Sequence, residues 1–374
     1  MNVMKTPRSV DILITSNCNL RCRYCGFFSS EGDVHYDLAK EEWLQFFKEL
    51  KECAVLDVTI QGGEPFYRED IVDIIEGIIQ NKMRFTILSN ATLIRDEIAS
   101  YLANTRRCNG VQVSLDGAEP TDHDIFRGVG TFDNAIEGLQ ILLKHKVPTT
   151  VRVTIHKHNY NNLPEIAQFL LEDLGLHSFS TNSASYFGLC RQFSEQVQMT
   201  TEDMSIAMEI LMDLNKKYSG RIQAQAGPLY NAKNWTLMKQ AKDNHLPINP
   251  ESGGHLLSCG CPMLSISVRS DGIIIPCSQL SHIQLGRINV DNLQHIWNNH
   301  PELKKIRSRK YIPLNNFEFC QGCEYMNYCK GGCPALSYTL LGKVDHPSPD
   351  VCLKRFLAQN GRLPNKELLA TAIY

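Results

Sequence analysis

Hydrophobic and polar positions alternate with two different periods along the first half of the chain. Short β-branched apolar runs are followed by longer segments in which apolar residues recur every three or four positions. This alternation predicts parallel strands joined by right-handed helical crossovers, and hence an α/β fold. The predicted strands are 9–15, 56–61, 84–89, 110–115, 149–155 and 178–184, and the predicted helices are 40–53, 70–80, 93–103, 132–145 and 163–174.

The second half of the chain is patterned less regularly. A helix is predicted at 201–218, and a region rich in cysteine follows after residue 255. The resulting division has a core at 9–195, a helical bridge at 196–255, a small cysteine-rich domain at 256–355 and a C-terminal tail at 356–374.

Composition narrows the class of protein. Of the 374 residues, 43% are hydrophobic and 21% are charged, which is ordinary for a soluble globular protein. The formal net charge of −2 gives no electrostatic reason to expect nucleic acid or an anionic membrane as a partner. No apolar run reaches the ~18 residues of a membrane span, and the N-terminus lacks the apolar core of a signal peptide. We therefore expect a cytoplasmic protein.

The chain contains 14 cysteines, and disulfides are rare in a reducing compartment, so clustered cysteines indicate metal binding or catalysis. Cys18, Cys22 and Cys25 lie just after the first predicted strand at C-x3-C-x2-C spacing. Three soft thiolates on one short loop can hold three corners of an iron–sulfur cube and leave the fourth iron open. The alternative is a structural zinc site, although such sites normally use four protein ligands.

Polar residues and glycines follow the other predicted strands. Chemistry in a parallel sheet sits at the carboxyl ends of its strands, so these residues converge on one rim if the alternation is real. Each of these residues also has a simpler explanation: most are common turn residues, and Arg152 could be a structural ion-pair partner. The residues concerned are Gly62, Gly63, Glu64 and Pro65 after the second strand, Asn90 after the third, Ser114 and Asp116 after the fourth, and Arg152 within the fifth.

Together, the cysteine loop and segments 62–65, 90 and 114–117 resemble the radical S-adenosylmethionine (SAM) enzymes over about residues 9–195. The resemblance implies a partial (β/α)6 barrel in which Cys18, Cys22 and Cys25 hold a 4Fe–4S cluster whose open iron binds the amine and carboxylate of SAM. One electron then cleaves SAM to methionine and a 5′-deoxyadenosyl radical, which abstracts a substrate hydrogen. Segment 116–132 is similar to the peptide-modifying branch of these enzymes.

The same resemblance implies the SAM contacts. It implies that Gly62, Gly63 and Glu64 bind the methionine amine of SAM, and that the Tyr24 ring borders the adenine. It implies contacts to the ribose or the carboxylate from Ser114, Asp116 and Arg152. Pro65 and Asn90 belong to the same site.

The C-terminal cysteines resemble the SPASM extension, which houses two auxiliary 4Fe–4S clusters. The resemblance implies an outer cluster on Cys320, Cys323, Cys329 and Cys352, and an inner cluster on Cys261, Cys277 and Cys333. Cys259 is the candidate fourth ligand of the inner cluster, which otherwise keeps an open iron. A pair of zinc ribbons is the alternative.

These expectations describe a radical SAM/SPASM enzyme that carries three 4Fe–4S clusters and modifies a ribosomally made precursor peptide. The expected product is a thioether or carbon–carbon crosslink. A flavodoxin- or ferredoxin-type reductant is expected. Because the chain begins only about eight residues before the first strand, leader-peptide recognition is expected to need a separate protein, or the bridge and tail.

Other functions stay open at this stage. A peptide epimerase would need a thiol hydrogen donor, for which Cys190 is the candidate. A sulfatase-maturing enzyme would carry aspartate directly after Cys277, where this chain has Ser278. A haem- or quinone-cofactor maturase is a further enzyme class, and an iron–sulfur electron carrier or a zinc scaffold would be no enzyme at all.

Overall fold

The computed structural model describes residues 3–29, 36–245, 253–257 and 259–365. Residues 246–252 of the predicted bridge and 366–374 of the predicted tail therefore lie outside the described residues. In the described part, one ten-stranded sheet has the order β10-β9-β8-β1-β2-β3-β4-β5-β6-β7. The strands are β1 (Ser9–Leu13), β2 (Asp57–Gln61), β3 (Arg84–Ser89), β4 (Cys108–Ser114), β5 (Thr149–Ile155), β6 (Phe179–Ser183), β7 (Ile222–Ala224), β8 (Ser265–Val268), β9 (Ile273–Ile275) and β10 (Gly286–Arg287).

The first six strands confirm the predicted α/β core. Each pairs in parallel with the next strand along the chain, and β7 adds a further parallel strand at the far edge. The observed bounds differ from the predicted ones by at most two residues. β4 begins early, at Cys108, where its register against β3 shifts between Phe85 and Thr86. The carboxyl ends of β1 to β6 consequently lie along one rim.

Helices connect the strands and bury apolar stripes. In α1 the apolar stripe is fully buried and consists of Trp43, Phe46, Phe47 and Leu50. Among the described residues, no helix has the length and apolar content needed to span a bilayer. The helices are α1 (Lys40–Glu52), α2 (Ile71–Gln80), α3 (Asp96–Asn104), α4 (Pro120–Arg127), α5 (Thr131–Lys144), α6 (Leu163–Gln168), α7 (Gly188–Gln192), α8 (Ser194–Val197), α9 (Thr201–Lys217), α10 (Pro228–Asp243), α11 (Cys261–Leu264), α12 (Leu293–Asn299), α13 (Pro301–Ser308), α14 (Pro334–Leu341) and α15 (Leu353–Ala358).

The cysteine-rich region extends the sheet of the core. β8 pairs in parallel with the free edge of β1, with Ser9 opposite Ser265 and Ile12 opposite Val268. β9 then returns antiparallel to β8. The open end of this hairpin brings together the segments that precede β8 and follow β9, which carry Cys261 and Cys277.

Candidate active site

The cysteine loop is fixed at its start by one carboxylate. Asp37 accepts hydrogen bonds from Thr15 Oγ1 at 2.5 Å, from the backbone N–H of Ser16 at 2.7 Å and from Asn17 Nδ2 at 3.0 Å. These contacts tie down the three residues that directly precede Cys18. Asp37 lies about 20 residues further along the chain, and no local sequence pattern pointed to it.

Cys18, Cys22 and Cys25 are half-buried and line a cavity of about 550 Å³ at the strand-end rim. We call it the strand-end cavity. Burial raises the pKa of the Cys18 thiol to about 11 and that of Cys22 to about 12. Deprotonated thiols at these positions therefore need nearby cations, such as the iron ions of a cluster. The cavity also collects most of the predicted SAM-site residues: Tyr24, Gly62, Gly63, Glu64, Asn90, Ser114 and Arg152.

Gly62 and Gly63 allow the end of β2 to pack directly on the cysteine loop. A Cβ atom at Gly63 would lie 2.0 Å from the carbonyl oxygen of Asn17, and one at Gly62 would lie 2.3 Å from that of Thr15. The Gly63 N–H donates to the Thr15 carbonyl at 2.8 Å. The two glycines therefore let the end of β2 approach the backbone of the cysteine loop closely. Their backbone also lines the cavity.

Glu64 joins the ends of β2 and β3 from a buried position. Its Oε1 accepts from the backbone N–H of Phe66 at 3.1 Å and from Ser89 Oγ at 2.8 Å, and its Oε2 accepts from the backbone N–H of Asn90 at 2.8 Å. Burial raises the pKa of Glu64 to about 7, against these hydrogen bonds, which lower it. The carboxylate thus organises the rim and also presents an acceptor toward the cavity.

Asn90 links β3 to the cysteine loop. Its Nδ2 donates to Asn19 Oδ1 at 3.0 Å, and its Oδ1 accepts from Thr92 Oγ1 at 2.7 Å. Asn19 Nδ2 in turn donates to Thr92 Oγ1 at 2.8 Å. The loop that carries the thiols is therefore held in place from both β2 and β3.

Asp116 is buried behind the cysteine loop and does not line the cavity. It accepts hydrogen bonds from Arg127 Nε at 2.6 Å, from the backbone N–H of Thr154 at 2.8 Å and from the hydroxyl of Tyr24. Burial raises its pKa, but the Arg127 guanidinium outweighs burial and the pKa falls to about 2. Asp116 therefore positions Tyr24, whose ring borders the cavity.

Arg127 is the main residue here for which the sequence analysis gave no role. Its guanidinium carbon lies 5.3 Å from the centre of the Tyr24 ring, and its charge attracts the thiolates of Cys22 and Cys25. The signal was present in the sequence, because Arg127 lies in the stretch that resembled the peptide-modifying branch. Spacing alone gave no reason to pair it with Asp116.

Two histidines close this buried cluster. His156 stacks on Tyr24 with ring centres 5.9 Å apart, and the Nε2 atom of His156 has no hydrogen-bond partner among the described residues. His123 Nδ1 accepts from the backbone N–H of Asp116 at 3.2 Å. Burial lowers the pKa of each histidine to about 4, so both are neutral near pH 7.

Arg152 provides a cation at the cavity wall. It lies directly opposite Ser114 in the parallel pairing of β4 and β5. Its Nε donates to Gln112 Oε1 at 2.7 Å, and within the described ranges it forms no ion pair with a carboxylate. Its charge is consequently available to a ligand carboxylate.

A second cavity of about 340 Å³ shares Gly26, Phe187 and Gln279 with the strand-end cavity. We call it the polar chamber. Arg269 in its wall is engaged by Asp271, with an Nε to Oδ1 distance of 3.1 Å. The remaining polar side chains of the lining are uncharged or aromatic: Ser29, Ser270, Ser278, Gln279, Ser281, His282, Tyr338 and Thr339. Since Ser278 follows Cys277, the chamber connects the first thiol group with the cysteine-rich domain.

The four predicted outer ligands converge. All four line one small cavity whose other walls include Met238, Leu314, Phe319 and Met326. Burial raises the pKa of the Cys320 thiol to about 12, and the other three thiolates raise it further. The members of this outer set are Cys320, Cys323, Cys329 and Cys352.

The predicted inner ligands also converge, and Cys259 lies among them. The Cys261 thiol hydrogen-bonds to both Cys259 and Cys277. The Cys333 thiolate interacts electrostatically with Cys259 and Cys277. Among the described residues, no three His, Cys, Asp or Glu side chains lie at the spacing of a single-ion site. The donor chemistry of all three thiol groups fits iron–sulfur clusters.

Besides Asp116, two further predicted residues lie outside the lining of the strand-end cavity. Pro65 is buried and begins a short helical turn at Pro65–Tyr67, away from the cavity lining. Cys190 is fully buried in α7, where its Sγ accepts from Gln198 Nε2 at 3.2 Å and where it packs near Phe126. Cys190 does not line the strand-end cavity.

Comparisons with known proteins agree with this arrangement. Residues 12–170 match the Radical SAM superfamily, and residues 259–324 match the SPASM iron-sulfur cluster-binding domain. The AdoMet-dependent heme synthase of Methanosarcina barkeri is 26% identical over 93% of this chain and 97% of that protein. The PqqA peptide cyclase of Granulibacter bethesdensis is 21% identical over 94% of this chain and 89% of that protein.

Among solved structures, Streptococcus suis SuiB bound to its precursor peptide SuiA aligns with a TM-score of 0.70 at 19% identity. The alignment covers 94% of this chain and 77% of SuiB, and at this identity it shows a shared fold. The first match contains Cys18, Cys22 and Cys25, and the second contains Cys259, Cys261, Cys277, Cys320 and Cys323. The chain belongs to the radical SAM/SPASM enzymes.

Proposed function

We propose that this enzyme modifies a ribosomally made precursor peptide by abstracting a hydrogen atom from one of its carbons and forming a thioether or carbon–carbon crosslink. The polar chamber is the observation that supports a peptide most directly. Its uncharged donors and acceptors suit peptide groups, and its stacked His282 and Tyr338 rings, 3.8 Å apart, suit an apolar or aromatic side chain. A peptide segment in this chamber would extend through the junction at Gln279 into the strand-end cavity.

The rim residues would hold the cofactors. Cys18, Cys22 and Cys25 would ligate the SAM-binding 4Fe–4S cluster, which with SAM supplies the 5′-deoxyadenosyl radical when bound. Glu64 offers its carboxylate to the methionine amine, and Arg152 offers its guanidinium to the methionine carboxylate. The Tyr24 ring borders the adenine, in an orientation that Asp116 and Arg127 fix.

The proposed reaction needs an electron acceptor, which the cysteine-rich domain would supply. After hydrogen abstraction, closing a crosslink releases one further proton and one electron from the peptide. The inner thiol set adjoins the polar chamber because Cys277 directly precedes Ser278 in the chamber wall. An inner 4Fe–4S cluster on these thiols would therefore be near enough to the peptide to accept that electron. With an outer cluster on the outer set, the loaded enzyme would carry three 4Fe–4S clusters.

The proposed setting is cytoplasmic. The first electron would come from a flavodoxin- or ferredoxin-type protein, since SAM cleavage needs a strong reductant. Recognition of the leader segment of the precursor would fall to a separate binding protein, or to the bridge.

The test is anaerobic reconstitution followed by reaction with SAM, dithionite and a peptide encoded beside the gene. We expect 5′-deoxyadenosine, and a peptide lighter by two hydrogen atoms. A peptide whose mass is unchanged after reaction in H2O, but which gains one deuterium after reaction in D2O, would indicate epimerisation instead of a crosslink, with Cys190 as the candidate donor. A reconstituted enzyme that makes no 5′-deoxyadenosine would contradict radical chemistry altogether.

A haem-precursor tetrapyrrole is the second candidate substrate, because the M. barkeri heme synthase aligns over 97% of its own length. Haem and its precursors carry several carboxylates, which favour sites with unpaired cations. In the walls of the strand-end cavity and the polar chamber, Arg127 and Arg269 are engaged by aspartates, and Arg152 forms no ion pair among the described residues. This charge distribution favours the peptide, and release of carbon dioxide from an added iron porphyrin would favour the tetrapyrrole instead.

A further inference from the structure

Two arginine side chains are buried beside the inner thiol set. Arg309, in the turn Arg309–Tyr311, is 0% exposed, and Arg307 at the end of α13 is 8% exposed. A guanidinium keeps its proton in proteins, so each of these positions carries a positive charge in the interior. Such a charge is costly to bury unless an opposite charge lies close by.

The two arginines bracket the segment that carries the first two inner thiols. Arg309 Nη1 donates to the carbonyl oxygen of Leu257 at 3.1 Å, two residues before Cys259. Arg307 Nε donates to the carbonyl oxygen of Pro262 at 2.7 Å. The hydrogen bonds fix both guanidinium groups against this segment, but carbonyl oxygens do not neutralise them.

Within the described part of the chain, neither arginine forms an ion pair with a carboxylate. Asp345 attracts Arg309, but its ion pair is with Lys305, at 3.8 Å. Arg309 Nε also lacks a hydrogen-bond partner among the described residues. The other groups whose negative charge Arg309 faces are the thiolates of Cys259 and Cys333.

The outer thiol set has a different environment. Its cavity is walled by apolar side chains, and the cation that faces its thiolates is Lys354, which is exposed to solvent. Solvent screens an exposed charge far more than a buried one. The fixed positive field therefore distinguishes the inner set from the outer set.

We propose that Arg309, assisted by Arg307, is the counter-charge of the inner auxiliary cluster and raises its reduction potential, which makes this cluster the electron acceptor of the reaction. The proposal rests on the inner cluster of the proposed function. Reduction adds one negative charge to a thiolate-ligated cluster, so a nearby fixed cation stabilises the reduced state over the oxidised state. The electron comes from the substrate radical and leaves to a flavodoxin- or ferredoxin-type protein.

The test compares Arg309→Met with Arg309→Lys in the full-length chain with Cys18, Cys22 and Cys25 replaced by alanine, so that only auxiliary clusters are loaded. Potentials are measured by titration followed by electron paramagnetic resonance. In Arg309→Met, we expect one auxiliary cluster to lose about tenfold in its reduced-to-oxidised ratio at a fixed potential, which corresponds to 59 mV for one electron. The other cluster should not shift, and Arg309→Lys should retain most of the wild-type potential.

Unchanged potentials in Arg309→Met at full iron content would overturn the proposal, as would an equal shift in Arg309→Lys. If Arg309→Met fails to load iron, the same titration on Asp345→Asn tests the proposal. This variant removes a negative charge that faces Arg309 and leaves the arginine in place. That variant should shift the same cluster to a higher potential, and no shift would overturn the proposal. These readouts need no peptide, so they are independent of whether the proposed substrate is right.

Discussion

Arg127 donates a hydrogen bond of 2.6 Å from its Nε to Oδ2 of Asp116, and both side chains are buried behind the cysteine loop. The pair connects β4, which Asp116 follows, with α4, which Arg127 ends. Because Asp116 also accepts from the Tyr24 hydroxyl, the ion pair holds the loop between Cys22 and Cys25 against the core. The stability of the thiol site therefore depends on a buried charge pair, of which Arg127 lines the strand-end cavity and Asp116 does not.

Replacing Arg127 by methionine should destabilise the protein by about 3–5 kcal/mol, because it leaves the Asp116 carboxylate buried without its cation. The free energy of unfolding in urea, measured anaerobically on reconstituted protein, checks this. The matched variant combines Arg127→Met with Asp116→Asn, which removes both charges and should recover part of the loss. If the double variant lost as much free energy of unfolding as Arg127→Met and Asp116→Asn lose together as single variants, this account would be contradicted.

Gly63→Ala should prevent loading of the SAM-binding cluster, because the added Cβ would lie 2.0 Å from the Asn17 carbonyl oxygen and push β2 off the cysteine loop. Iron content should fall by about four atoms per chain, the content of one cube. The control is Gly220→Asn, at a positive φ of 80° that asparagine tolerates and with no atom within 4 Å of its Cβ position. Normal iron content in Gly63→Ala would show that the loops can separate without loss of the cluster.

The sequence made the core predictable because β-branched runs alternated with amphipathic helices over 180 residues. The same topology predicts that Gly63, Glu64 and Asn90 lie at one rim of the sheet. It did not predict that β8 pairs with β1, because a four-residue strand carries little pattern and its partner lies about 250 residues away.

Residues that act through long-range contacts were the ones that sequence reasoning missed. Asp37 caps the end of β1 from beyond the cysteine loop, and Arg309 bonds the carbonyl oxygen of Leu257, about 50 residues earlier and next to the inner thiols. Neither residue belongs to a motif. The thiols were easier to find, because few other residues share their chemistry, and the four that the resemblance assigns to the outer set line one cavity.

Two cysteine substitutions should separate SAM cleavage from product formation. Cys22→Ala removes a ligand of the SAM-binding cluster and should abolish 5′-deoxyadenosine formation. Cys329→Ala removes a ligand of the outer cluster. This variant should still cleave SAM but should make no modified peptide. Chromatography of 5′-deoxyadenosine, mass spectrometry of the peptide and iron analysis check both, with about twelve iron atoms expected in the unmodified chain. Normal product from Cys329→Ala would mean that the outer cluster is dispensable.

His156 should make stability depend on pH between about 6.5 and 4. Burial lowers its folded pKa to about 4, below the 6.5 of an exposed histidine. In that interval the unfolded chain binds a proton that the folded chain excludes, so stability falls as pH decreases, by at most about 3 kcal/mol for this group.

The variant His156→Phe tests this assignment. Phenylalanine keeps the stacking on Tyr24 and removes the unpartnered Nε2, although the hydrogen bond from the backbone N–H of His158 to Nδ1, 3.2 Å long, is lost. Unfolding in urea at pH 7 and pH 5 should show a smaller difference between the two pH values in the variant than in the parent. His123 titrates in the same direction, so part of the dependence should persist. The exposed His295→Gln serves as the control, and an unchanged pH dependence in His156→Phe would assign the effect to other groups.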